Sequence, residues 1–287
     1  MWGCPSSAVR EIQTASDAAP SAKDTAAPSF DAGNPLDPDA GAKDYVKTGS
    51  VHVGLIPALG ATPAQGYLSA YFLDARFDRT AGCTSLPLGG GCSKSVCTGQ
   101  AAPQMPAKRS VGKLQYAVRG VSQEILRDAD FLYERSFDGT TVPFAAGDEV
   151  AFQAAGDIAP GFDSSVQMEA QARIDTPLPG LDGAWTVGRA AATDVRFTGG
   201  SGIFTLQLVF GAARITVECS VPAASGGFSI PGSAFTALAP GTEGFVTIAS
   251  TNGKTQEIVD DWKLVIESHT TARSSDGRPI PTKVIAQ

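Results

Sequence analysis

Two histidines, five cysteines and a scatter of carboxylates are the groups in this 287-residue chain that could do chemistry. His52 and His269 are the only imidazoles, so a Ser-His-Asp triad would have to use one of them. Each falls on the polar parity of an alternating segment, where an exposed surface side chain is expected. The adjacent acids Asp148/Glu149 and Asp260/Asp261 are carboxylate pairs of the kind that glycoside hydrolysis uses. Neighbours in a strand point to opposite faces, however, so neither pair presents two acids to one substrate. No G-x-S-x-G elbow, H-E-x-x-H, Walker loop or helix-opening G-x-G-x-x-G occurs. Gly199-Gly200-Ser201-Gly202 leads into an apolar run rather than a phosphate-cradling helix, and is expected to be a hairpin turn. Asp31, Asn34, Asp37, Asp39 and Asp44 lack the offsets of a calcium loop and are interrupted by Pro35 and Pro38. No catalytic residue, metal ligand or cofactor is therefore expected.

The cysteines carry more information. Cys83, Cys92 and Cys97 cluster in a glycine-rich segment with little apolar material of its own, where a covalent staple stabilises most. Zinc is the rival reading, but structural zinc wants paired C-x2–4-C groups, and Cys83 stands nine residues from Cys92. A fourth ligand would have to be Cys219, which lies on the apolar parity of Ile215, Val217 and Val221. Disulfides among Cys83, Cys92, Cys97 and Cys219 are expected, with three pairings open and a plain core role for Cys219 as a further possibility. Cys4 stands apart, three residues from the start and after Gly3.

The elements that position these groups are written in strand period. Val166, Met168, Ala170, Ala172 and Ile174 alternate without a break against Gln167, Glu169, Gln171, Arg173 and Asp175. The same alternation runs through Leu114–Val118, Ile215–Val221 and Trp262–Ile266. Tyr67–Phe77 and Ile203–Phe210 are almost continuously apolar, as central strands are. Further strands are expected near Val51–Leu55, Val150–Ala154, Trp185–Gly188 and Val195–Thr198. Asp138-Gly139 and Asn252-Gly253 read as hairpin turns, and four Pro-Gly pairs punctuate the rest. Helical signals are confined to short stretches at Ser122–Ala129 and Ser233–Leu238. The fold class is all-β, an antiparallel β-sandwich or two stacked sandwich subdomains, with the internal boundary best placed at 156–162.

Composition frames this. Glycine (32) and proline (19) are abundant and charged residues make up 18 %, which excludes coiled coils and long helical bundles. A net charge of -7 argues against nucleic acid as a partner. Residues 1–44 form an acidic Ala/Ser/Pro/Asp stretch, with 3 Lys/Arg against 7 Asp/Glu, and read as a disordered linker ahead of the 45–287 body.

Gly3-Cys4 with this linker, the loop from Cys83 to Cys97, Trp185, Cys219-Ser-Val-Pro and Ser229-Ile-Pro-Gly-Ser-Ala-Phe together resemble bacterial cell-surface lipoproteins of all-β type. The resemblance implies lipidation at Cys4, an extracytoplasmic location at the cell surface or in the periplasm, and no assigned activity. It leads to a non-catalytic, tethered binding or structural module of the envelope. Its partner would be an extracellular ligand or envelope component, and it would meet the membrane only through a lipid on Cys4. Tyr67, Tyr71, Tyr116 and Tyr133 are the candidates for an aromatic binding face, with core packing the default reading because most of the aromatics here share the buried parity of their strands. The alternative is a carboxylate-dependent hydrolase acting on an extracellular polymer, with Asp74 and Glu134 flanking the aromatic strands as candidate acids.

Overall fold

Side chains that alternate between apolar and polar cover one face of a pleated strand with hydrocarbon, and that face must find another to bury it. The computed structural model describes residues 47–75, 82–98, 106–180, 183–258, 261–276 and 283–287. The linker at 1–44, Cys4 and Asp260 lie outside them. The described chain forms β1 (Lys47–Ile56), β2 (Gln65–Leu73), β3 (Cys83–Gly89), β4 (Cys92–Cys97), β5 (Leu114–Val118), β6 (Val121–Ile125) and β7 (Tyr133–Asp138). It continues with β8 (Glu149–Ala154), β9 (Phe162–Gln167), β10 (Ala172–Thr176), β11 (Ala184–Val187), β12 (Thr193–Gly199) and β13 (Ile203–Phe210). The remainder is β14 (Ile215–Pro222), β15 (Gly227–Ile230), β16 (Glu243–Glu257), β17 (Trp262–Thr271), β18 (Arg273–Ser274) and β19 (Lys283–Ala286). The helical elements among the described residues are single 3-10 turns.

One long sheet organises the molecule, in the order β3-β4-β14-β13-β16-β17-β1-β2-β7, with β19 joining β16 and β11 pairing β19. Two four-stranded sheets cover its inner face, β6-β5-β8-β9 and β15-β12-β10-β18. The first buries Leu114, Tyr116, Phe152 and Phe162 against Val51, Val53, Leu68, Phe72, Trp262 and Leu264. The second belongs to a separate core of Phe197, Phe204, Leu206, Phe210, Val217 and Phe235. The fold is thus an all-β sandwich with two cores side by side, mostly antiparallel, with parallel contacts at β1/β17, β10/β18 and β11/β19.

The inner face of β17 records the junction between the cores. Trp262, Leu264 and Ile266 serve the first core, Ala272 just beyond the strand serves the second, and Ser268 and Thr270 lie fully buried between them. Ser268 Oγ donates to the Gln167 carbonyl at 2.6 Å, which ties β17 to the end of β9.

Several local expectations change. The alternation from Val166 to Ile174 is two strands: the chain leaves one small sheet after Gln167 and enters the other at Ala172, and between them the pattern inverts, with Glu169 buried and Ala170 exposed. Residues 156–162 connect β8 and β9, which pair with each other in one sheet; the passage between cores falls later, from Met168 to Ala172. Asp138-Gly139 opens a 3-10 turn instead of a hairpin. Gly199–Gly202 links strands of different sheets. Asn252-Gly253 is no turn: β16 runs straight through it, and the reversal comes beyond Ile258, where Asp261 takes a φ of 62°. Ser122–Ile125 is strand.

Candidate functional site

With Val51, Val53 and Leu55 of β1 committed to the core, Ser50, His52 and Gly54 must face the other way. The same parity rule puts Val265, Glu267 and His269 of β17 and Tyr67, Ser69 and Tyr71 of β2 on that outer face. Strand register then sets them in rows. Gly253 of β16, Glu267 of β17, His52 of β1 and Ser69 of β2 form one row. Thr251, His269, Gly54 and Tyr67 form the next. Glu267 therefore has His52 beside it on the neighbouring strand and His269 two residues along its own.

The contacts follow from this placement. His52 Nδ1 and His269 Nε2 each lie 3.5 Å from the same carboxylate oxygen, Glu267 Oε2. The two imidazoles stack with centroids 6.0 Å apart and planes 26° from parallel, and the Tyr71 ring lies 6.2 Å from His52 on the other side. The remaining His52 nitrogen, Nε2, is 2.7 Å from the Oγ of buried Ser50. Side-chain exposures of 16 %, 13 % and 19 % for His52, Glu267 and His269 leave the group half-buried but open to solvent. The expectation of two exposed surface histidines is corrected: neighbouring strands enclose both and bring them to one carboxylate.

Glycines make the room. A methyl group at Gly54 would stand 1.9 Å from the Tyr67 ring, so that ring lies flat over the Gly54 backbone. A methyl group at Gly253 would stand 3.2 Å from Glu267 Cγ. This is why a glycine expected in a hairpin turn sits in the middle of a strand: it clears space for the glutamate opposite.

The electrostatics are set by competition. Burial pushes the Glu267 carboxyl up, but the polar contacts of His269 and His52 and their positive charge outweigh it and hold the group down at about 2, against an ordinary 4.5. Glu267 is thus an anion throughout the neutral range, facing two imidazoles.

The other candidates are distributed as follows. Tyr67 and Tyr71 lie on the outer face, Tyr67 with 39 % of its surface exposed. Tyr116 and Tyr133 are buried in the first core, where Tyr133 Oη donates to the Gly112 carbonyl and accepts from the Val111 N–H, so the four tyrosines do not form one face. Cys83 pairs with Cys97 and Cys92 with Cys219, each couple directly opposite across neighbouring strands. Cys219 is both a core residue and a staple. Asp74, in the bend after β2, is held by Arg109, whereas Glu134 stands within β7 opposite Ser69 on the outer face, so the two acids have separate surroundings. Asp148 accepts two bonds from Arg119, and Glu149 accepts from Ser165, so that pair also points to separate partners.

Sequence reasoning missed Glu267 as a functional residue. Its signals were the i, i+2 spacings Glu267-Ser268-His269 and Ser50-Val51-His52, each of which puts two polar groups on one face of a strand.

No family model and no curated protein matches the chain. Among solved structures, a 1.5-MDa bacterial ice-binding adhesin studied for host cell surface retention is 12 % identical with a TM-score of 0.21, covering 80 % of this chain and 65 % of that one. A Ca2+-stabilized, ice-binding adhesin of an Antarctic bacterium is 12 % identical with a TM-score of 0.18, covering 84 % and 50 %. A tetra-tandem repeat from the extending region of a large adhesion protein is 11 % identical with a TM-score of 0.20, covering 78 % and 74 %. The chain thus spans about two thirds and one half of the first two, and at this level of similarity none of the three bears on its role.

Proposed function

We propose that the protein is a non-catalytic binding module of the bacterial cell envelope, tethered through Cys4, with the outer face of the long sheet around Tyr67, Tyr71, His52 and His269 as its contact surface. The observation that carries this reading is the composition of that face. Tyrosine rings, two imidazoles and a carboxylate stand on the middle strands of a sheet, where register fixes their spacing, and solvent reaches them. Rings with a polar tip and side chains with few rotatable bonds make contacts at low entropic cost. Two cross-strand disulfides support the compartment, since such bonds persist in oxidising surroundings.

The test uses the full chain in a bacterial host. The wild type is expected in the detergent phase of a Triton X-114 partition, and Cys4→Ser in the aqueous phase. The soluble Cys4→Ser protein is expected to co-sediment with purified envelope fragments, and Tyr67→Ala/Tyr71→Ala to reduce that at least tenfold. A wild-type chain confined to the cytoplasm with reduced thiols, or sedimentation indifferent to the tyrosines, would overturn the reading.

A further inference from the structure

We propose that His52, Glu267 and His269 form a site for a divalent transition metal of the zinc class, with His52 Nδ1, a Glu267 carboxylate oxygen and His269 Nε2 as its three protein ligands. The inference stands apart from the envelope role above, because it needs only these three side chains.

The donor set is the first support. Two imidazoles and one carboxylate are a ligand combination that zinc and its first-row neighbours take, and three protein ligands leave outward positions for water or a donor from a bound molecule. The distances are the second. Ligands about 2.1 Å from a tetrahedral ion stand about 3.4 Å from one another. Both histidine nitrogens lie 3.5 Å from Glu267 Oε2, and all three ligand atoms fall within 4.8 Å of one another. Charge-assisted hydrogen bonds run to about 2.7–2.9 Å, so the same 3.5 Å is long for an imidazolium–carboxylate bond and right for the edge of a coordination polyhedron.

The third support is the surrounding shell. A metal-bound imidazole needs its second nitrogen fixed, so that the ring and tautomer are set before the ion arrives. Ser50 Oγ does this at 2.7 Å from His52 Nε2 and is itself buried, placing Nδ1 toward Glu267. Gly253 clears the space in which the Glu267 stem lies, and the parallel register of β1 and β17 fixes the spacing of His52 from the other two.

The histidine count makes the experiment unambiguous: the chain has two, and both are in the site. The full chain with Cys4→Ser, which removes the one thiol outside the two disulfides, is stripped with a chelator and titrated with zinc chloride by calorimetry. In parallel, the histidine ring nitrogens are followed by 15N NMR. One zinc per chain is expected, with both imidazoles shifting in the same step at Nδ1 of His52 and Nε2 of His269. His269→Ala is expected to weaken binding at least 100-fold, and Ser50→Ala about 10–100-fold. No binding, or binding that leaves both imidazole spectra unmoved, overturns the proposal. The NMR arm needs no substitution within the site, so it decides the matter even if His269→Ala fails to fold.

Discussion

His52 and Glu267 lie more than 200 residues apart in the chain, yet they face each other in register across the parallel pair β1/β17, Nδ1 to Oε2 at 3.5 Å. His269, two residues further along β17, meets the same oxygen at the same distance. An acid with two imidazoles is therefore a product of topology, and its consequences can be measured separately.

The first consequence is acid sensitivity. Glu267 titrates at about 2 in the folded chain and near 4.5 when unfolded, so its anion stabilises the fold above the unfolded value, and that contribution fades as pH falls from about 4.5 toward 2. A shift of this size corresponds to at most about 3 kcal/mol. In metal-free protein, urea midpoints of the wild type should exceed those of Glu267→Gln at pH 5.5, and the gap should close by pH 2. A gap that is constant with pH would show that Glu267 contributes by packing alone.

A second concerns Gly54. Alanine there forces the Tyr67 ring off the backbone it covers, and displacement of a packed ring costs about 1–3 kcal/mol. Gly54→Ala should lower the urea midpoint and shift the Tyr67 ring resonances. Gly253→Ala, whose nearest neighbour would stand farther off at 3.2 Å, should disturb the fold less and register at Glu267 instead.

The two disulfides should differ in both protection and worth. Cys92–Cys219 is buried and joins positions 127 residues apart, while Cys83–Cys97 spans 14 residues at the sheet edge. The chain-entropy model gives about 5 and about 3 kcal/mol respectively. Timed reduction under native conditions, read by thiol alkylation and mass spectrometry, should open Cys83–Cys97 first. Removal of Cys92 and Cys219 together should lower stability more than removal of Cys83 and Cys97.

In the first core, Phe72 packs against Tyr133, Phe162 and Trp262, joining the long sheet to the small one above it. Phe72→Ala should cost about 3–5 kcal/mol, measured by denaturant unfolding. A loss below about 1 kcal/mol would mean that the two sheets do not meet as described.

These particulars show what the sequence carried. Parity alone placed Val51, Leu114, Val217 and Leu264 inside, and put His52 and His269 on the polar side of their strands. Paired cysteines in a loop without a core were legible for the same local reason. What parity leaves open is which strand lies beside which. The parallel union of β1 with β17 depends on the whole topology, so the enclosure of His52 by Glu267 and Tyr71 had no local signature. Gly253 misled because Asn-Gly is a strong turn signal in isolation, whereas here the space a glycine leaves is needed by a side chain on the next strand. Tyr67, Tyr71, Tyr116 and Tyr133 formed one cluster in sequence but occupy opposite faces of a sheet and the core beneath it.

The most direct test of the central claim is anomalous diffraction from crystals of the full chain grown with zinc, with data on both sides of the zinc absorption edge. The expected result is one strong anomalous peak per chain about 2.1 Å from His52 Nδ1, His269 Nε2 and a Glu267 carboxylate oxygen. A map without a peak between those three side chains, while zinc is bound elsewhere in the same crystal, would contradict it.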